Sequence, residues 1–370
     1  MKTAPFLAYL AEPHAEKMAF FEAVSAEFGD GVRLKTWPMS WRGYPETEAR
    51  ARACLARAKR QPKGAFGRWL KLLFLKGRYN WARRYFEARP EAAALCWQGL
   101  TGTRRAFMEG AKDAGAELLY AELAPLPLRR TLDAKGVNAE GSVPKQAAFY
   151  ENVTADMTLL AELKAGFQAR APRRADVGQG KAHFDGARFL FVPLQVPDYS
   201  QMTLFAGWCG GLQGFIAALA EASRHLPEGW HLRVKEHPSS KVAVTDEINA
   251  LIASGARIVL DNATDSFAQI AASAGVITIN SSMGLQAMFW DKPVVITGEA
   301  LYDIEGAVMR ADSAAALGAL CAQATELSFD ADLRARMLTW LARDYYVSFD
   351  QGRLLEPEQI QRIRARGRAT

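Results

Sequence analysis

Residues 231–235 read His-Leu-Arg-Val-Lys and run directly into Glu236-His237-Pro238; residues 276–279 read Val-Ile-Thr-Ile and run directly into Asn280-Ser281-Ser282-Met283-Gly284. Each is a short apolar run closed by turn or capping chemistry, which reads as a buried strand with a polar end. Working outward, 187–196, 257–260 and 293–297 are runs of the same kind. Between them lie helical patterns at 212–223, 244–253, 266–274 and 283–289. Short buried strands alternating with helices predict βαβ units on a parallel sheet. The N-terminal half alternates less clearly. Strands are expected at 6–10, 32–37, 92–96 and 117–120, with helices at 14–28 and 103–114.

The expected architecture is therefore α/β, with two Rossmann-like domains facing a central cleft. The division is an N-terminal acceptor-side domain at 1–170 and a linker at 171–185, where Arg, Gly and Ala surround Pro172. A nucleotide-binding domain follows at 186–330, then a C-terminal helix and tail at 331–370. The Arg-rich residues after Gln359 read as the one disordered piece.

With 370 residues the chain exceeds one ordinary core, and 49% hydrophobic with 23% charged residues is the composition of a water-soluble globular protein. The net charge of +6 is too small to single out nucleic acid, membrane or anionic substrate. Cys54, Cys96, Cys209 and Cys321 are far apart and read as free thiols of a reducing compartment. Met1-Lys2-Thr3-Ala4-Pro5 lacks an apolar core and cleavage site, so no signal peptide is expected, and no run reaches the ~18 apolar residues of a membrane span. A cytoplasmic protein, peripheral to the inner membrane, is the expectation. There is no P-loop, no HExxH helix and no metal-spaced cluster among the five histidines at 14, 183, 225, 231 and 237. No metal and no cofactor are expected.

In open parallel sheets ligands sit beyond the carboxyl ends of the strands. His237 can donate to a phosphate or act as an acid, and Pro238 stops the strand. Lys235 adds positive charge, although strand alternation can turn it away from His237. Asn280, Ser281 and Ser282 are capping residues at a helix N-terminus, where free N–H groups and the positive dipole end suit an anion. Each motif alone reads equally as a turn or a cap. Together, at strand ends of one sheet, they point to a single phosphate. Gln195 and Asp198 follow the first strand of this domain, and Asp198 reads as a base, a nucleophile or a turn former. In the N-terminal half Glu122 follows a strand, and Asn138 closes the run Asp133-Ala134-Lys135-Gly136-Val137-Asn138. Residues 59–89 interleave Lys and Arg with Phe66, Trp69, Tyr79, Trp81, Tyr85 and Phe86. That pattern suits an anionic lipid surface, an RNA, or a helix packed on its own domain.

Taken in order, Trp97-Gln98-Gly99-Leu100, Glu122, Pro127, 133–138, Pro193-Leu194-Gln195-Val196, Lys235-Glu236-His237-Pro238, 280–287 and Gly298 to Tyr302 resemble the bacterial capsule polysaccharide biosynthesis and export family. Its members include transferases that build a poly-Kdo linker on a phospholipid. The resemblance covers roughly residues 92–306. It implies a GT-B fold and a glycosyltransferase that moves Kdo, or a related acidic sugar, from CMP-Kdo to a lipid-linked acceptor without metal. It implies that His237, Pro238, Ser281 and Ser282 bind the CMP phosphate and ribose, that Asp198 is the carboxylate of sugar transfer, and that Glu122 supports the acceptor or acid role. The capsule export machinery is the implied partner, and nucleic acid is not. The family's aspartate commonly sits one position further along, where this chain has Tyr199. Either Asp198 fills the role after a local shift, or the chain is a non-catalytic GT-B-like partner of the export complex.

Overall fold

The computed structural model describes residues 5–35, 38–169, 171–181, 184 and 186–369. Among these, two sheets organise the chain into two units. The first unit comprises residues 1–124, 128–142 and 341–370; the second comprises 125–127 and 143–340.

In the first unit, the strand Ala92–Trp97 is buried along its whole length, and its alternation explains why. Ala93, Leu95 and Trp97 point into one core with Leu7, Tyr9, Phe20 and Phe21, while Ala92, Ala94 and Cys96 point into another with Ala8, Leu10 and Phe107. A run buried on both faces shows no polar alternation, which is the mark of a covered parallel strand. Gly31–Leu34, Phe6–Leu10, Ala92–Trp97 and Leu118–Leu123 pair in parallel, and Arg129–Asp133 and Tyr346–Asp350 extend the sheet antiparallel. The strand expected at 32–37 is Gly31–Leu34, and residues 36 and 37 lie outside the described residues.

In the second unit six strands pair in parallel throughout: Met309–Arg310, Val294–Ile296, Gly275–Thr278, Arg188–Pro193, Trp230–Lys235 and Ile258–Leu260, in that spatial order. Numbered along the chain, the order is 3-2-1-4-5-6, the Rossmann order. The strand order reverses between Arg188–Pro193 and Gly275–Thr278, and that switch point opens a crevice at the carboxyl ends. The helix Leu212–Ser223 presents Phe215, Ile216, Leu219 and Ala222 to the sheet. Each large apolar side chain buried there contributes roughly 1.5–3 kcal/mol. The two Rossmann-like sheets are those of a GT-B fold.

Three expectations need correction. Residues 143–170 belong to the second unit, because the helix Met157–Ala165 packs on Ala331–Trp340 and Met288–Trp290. The segment expected as a linker at 171–185 is fastened to the same unit: Arg173 N–H donates to the Pro238 carbonyl, and the Gly178 and Gly180 N–H groups donate to those of Asn262 and Ala263. Its residues 182, 183 and 185 lie outside the described residues, His183 among them. The end of the chain is a helix, Glu358–Ala369, rather than a disordered tail. Ile360 and Ile363 enter the first unit's core, and Arg364 makes two hydrogen bonds to the Glu117 carboxylate, 2.7 and 3.0 Å.

Candidate nucleotide site and acidic cluster

The crevice of the second unit holds a recess open to solvent, with a cavity volume of about 70 Å³, smaller than the ~300–1,000 Å³ usual for small-molecule sites. Three successive strand ends supply its walls: Pro193 and Leu194, then Glu236, His237 and Pro238, then Ser281, Ser282 and Met283. The two motifs singled out by their sequence therefore line one recess.

His237 is half-buried, and its Nδ1 accepts the Ser239 N–H at 3.0 Å. That bond assigns the neutral ring's proton to Nε2, which makes it a hydrogen-bond donor. Ser281 caps the helix Ser282–Ala287, its Oγ accepting the Met283 N–H at 3.1 Å, so its own O–H remains a donor. The Ser282 N–H lies in the first turn, where no intrahelical acceptor exists. Imidazole, hydroxyl and first-turn N–H together form a donor set suited to phosphate. The loop is buttressed from behind: the Tyr302 hydroxyl donates to the Ser281 carbonyl at 2.5 Å. A Cβ on Gly284 would collide with that hydroxyl. Gly284 and Tyr302 are thus placed in the sequence by packing around Ser281.

The expected phosphate role of Lys235 is corrected by its surroundings. The ammonium is buried and donates to the carbonyls of Gly178, Asn262 and Thr264 at 2.7, 2.9 and 2.6 Å. An ammonium has three donors, so none is left for a ligand. Burial holds its pKa below the ordinary lysine value. Lys235 instead pins the 171–181 segment against the sheet. Glu236, also buried, accepts from Arg174 of that segment and from Thr245 Oγ1 at 2.5 Å. Asn280 is corrected likewise. Its amide donates to the carbonyls of Gln201 and Phe205, and its oxygen accepts from Gln195 Nε2 at 2.9 Å. Gln195 in turn accepts the Asn280 N–H at 3.3 Å. Asn280 and Gln195 lock two strand ends together rather than lining the recess.

Asp198 is exposed, in the turn closed by the Tyr199 N–H donating to the Val196 carbonyl, and it precedes the helix Ser200–Phe205. Tyr199, also exposed, stands against His237: the rings lie edge to face with centroids 6.3 Å apart.

In the first unit Glu122 lies within the strand Leu118–Leu123 rather than after it, opposite Thr131. Its carboxylate accepts the Leu123 N–H at 2.8 Å and Gln98 Nε2 at 3.3 Å. Burial outweighs these bonds and the nearby Lys17 and Arg104 charges, and raises its pKa above the ordinary carboxylate value. Asn138 starts a 3-10 turn with φ +57°, a conformation that asparagine tolerates better than most residues. The 133–138 run has a structural centre: buried Asp133 accepts the N–H groups of Lys135, Gly136 and Ser142 and the Ser142 hydroxyl. All four cysteines are free and buried. Among the described residues no group of three or more His, Cys, Asp or Glu side chains is placed to hold a metal ion.

Residues 160–343, which include every residue lining the recess, match the family model described as "Capsule polysaccharide biosynthesis protein". Over that span, just under half of its length, the chain is similar to the capsule polysaccharide biosynthesis family. Protein FixF of Sinorhizobium fredii is 28% identical over 243 residues, covering 66% of this chain and 57% of FixF. The capsule polysaccharide modification protein LipB of Neisseria meningitidis is 26% identical over 125 residues, covering 32% of this chain and 30% of LipB. The chain thus spans little more than half of one relative and under a third of the other. A solved structure of KpsC from Thermosulfurimonas dismutans, titled a beta Kdo 2,7 transferase, matches over 99% of this chain and 100% of its own, with TM-score 0.50 and 12% identity. At that identity the likeness is one of fold.

Several residues of the recess carry no sequence signal. Gln168, Gln179 and Phe267 line it beside the motifs. Gln179 arrives on the 171–181 segment and Gln168 from beyond the helix Met157–Ala165. Only the packing of these segments on the second unit makes them neighbours.

Proposed function

We propose that the chain is a glycosyltransferase of capsular polysaccharide assembly, moving Kdo or a related acidic sugar from a CMP donor to a lipid-linked acceptor. The observation carrying this reading is the single recess at the Rossmann switch point, lined by both His237-Pro238 and Ser281-Ser282. His237 Nε2–H, the Ser281 hydroxyl and the Ser282 N–H take the charge of the departing CMP phosphate, so no cofactor is called for. Asp198 is the carboxylate of sugar transfer, and Glu122 serves the acceptor as acid or base, a role suited to its raised pKa. Similarity to the capsule family supports the capsule setting, and the fold shared with a Kdo transferase is compatible with the donor.

The lipid-linked acceptor draws support from the helix Gly64–Glu87. From Leu72 onward it is packed in the unit through Leu72, Leu75, Tyr79 and Phe86, as a self-packed helix would be. Its first half exposes Phe66, Trp69 and Leu70, spaced i, i+3, i+4, with the two rings stacked. Residues 57–86 contain ten Lys and Arg and no Asp or Glu, whereas the rest of the chain holds 36 and 40. An exposed aromatic face in a purely cationic stretch fits an anionic membrane surface on the cytoplasmic side. Among the described residues no helix is long and apolar enough to cross a membrane.

A second reading, a non-catalytic GT-B-like partner of the export complex, is favoured by the side chain of Tyr199 standing against His237 while Asp198 lies at the surface. Incubation with CMP-Kdo and a phospholipid-linked Kdo acceptor separates the two. CMP release with an extended acceptor supports the enzyme; CMP binding without release supports the partner.

A further inference from the structure

The first unit has a recess of its own, lined by His14, Glu16, Lys17, Trp97, Leu123 and Arg130. Chain topology explains the gathering. His14 and Lys17 follow the strand Phe6–Leu10, Trp97 ends Ala92–Trp97, and Leu123 ends Leu118–Leu123, so three of the four parallel strands deliver residues at their carboxyl ends. Arg130 sits opposite Leu123 on the antiparallel neighbour. Leu123 also gives its N–H to Glu122, so the recess adjoins that carboxyl group.

The charges are unevenly matched. Buried Glu12 pairs with Arg104 through Oε1, while its Oε2 has no hydrogen-bond donor. Lys17 Nζ lies 3.8 Å from that Oε2, an ion-pair distance beyond hydrogen-bond reach, and 4.3 Å from the centre of the Trp97 ring. The ammonium is therefore held by a charge and a ring face, neither of which takes up its N–H donors. Arg130 pairs with exposed Glu16 and lies over the Phe349 ring. Arg104 takes up Glu12 and Arg130 takes up Glu16, which leaves the Lys17 ammonium as the charge whose N–H donors are unused.

We infer that this recess is an oxyanion subsite for the acceptor, in which Lys17, helped by Arg130, holds the carboxylate or phosphate of an acidic glycan beside Glu122. The inference rests on the transfer reading above and adds a binding determinant to it. Lys17 acts here by positioning the acceptor and takes no part in bond making.

Saturation-transfer NMR titrations of the full chain, without any CMP compound, test it with three probes: Kdo methyl glycoside, methyl galactoside and inorganic phosphate. The acidic sugar binds and the neutral one does not; Lys17→Met weakens the acidic sugar by about tenfold or more, and Lys17→Arg restores most of the affinity. Displacement of the sugar by phosphate assigns the subsite to phosphate groups as well; no displacement assigns it to carboxylates. Equal binding of the acidic and neutral sugars, equal binding to the wild type and to Lys17→Met, or no binding of either anion overturns the inference. A CMP titration of the same samples reads the other unit's recess separately, so failure here and failure of the donor reading are distinguishable.

Discussion

Tyr199 stands edge-on to His237, ring centroids 6.3 Å apart at an interplanar angle of 67°. The tyrosine thus occupies the flank of the imidazole proposed to meet the phosphate, and the neighbouring Asp198 turns to the surface. Replacing Tyr199 with Ala removes a wall from His237 and leaves its Nδ1 bond to Ser239 in place. CMP affinity is expected to fall about threefold to tenfold, the worth of an aromatic contact of ~0.5–1.5 kcal/mol. Calorimetric titration measures it.

His237→Ala removes the Nε2–H donor itself. A hydrogen bond to a charged group is worth ~1.5–3 kcal/mol, so CMP binding weakens by about tenfold to a hundredfold. The unfolding free energy changes little, because His237 is only half-buried. The same titration, with urea unfolding as control, checks both halves.

Asp198→Asn is expected to abolish sugar transfer from CMP-Kdo while CMP still binds with wild-type affinity. Full transfer by this variant would remove Asp198 from the mechanism, and the non-catalytic reading would gain if the wild type were equally inactive.

Lys235→Met separates structure from binding. It leaves the Gly178, Asn262 and Thr264 carbonyls without their donor. A loss of ~2–4 kcal/mol in unfolding free energy is expected, against the small change in His237→Ala. Urea denaturation of both variants decides.

Glu122 supplies a pH signature. Its folded pKa is raised by burial, so the unfolded chain binds fewer protons than the folded one between the two values. The contribution of this group is therefore fully present below the unfolded pKa of ~4.3 and is lost as pH rises through the folded value. Glu122→Gln should flatten that part of the stability–pH profile, measured by denaturation from acid to neutral pH.

How far the sequence reached differs between the units. βαβ alternation exposed five of the six strands of the second sheet, because short apolar or alternating runs there are separated by helical patterns such as Leu212–Ser223; the edge strand Met309–Arg310, two residues long and not buried, left no such signal. The antiparallel extension of the first sheet was hidden: Arg129–Asp133 begins with two arginines, and its partner Tyr346–Asp350 lies more than two hundred residues away. Glu358–Ala369 looked like a charged tail because Ile360 and Ile363 alone carry its apolar burial. At the recess, strand-end position brings His237 and Ser281 together, whereas Lys235 and Asn280 give their N–H donors to backbone carbonyls. A polar group near a ligand recess can be fully occupied by the backbone around it.

The most direct measurement is a crystal structure with CMP bound. The account predicts the phosphate within hydrogen-bonding distance of His237 Nε2, the Ser281 hydroxyl and the Ser282 N–H, with the nucleoside in the recess lined by Gln179 and Phe267. CMP bound away from the switch point, or no CMP bound at saturating concentration, would contradict it.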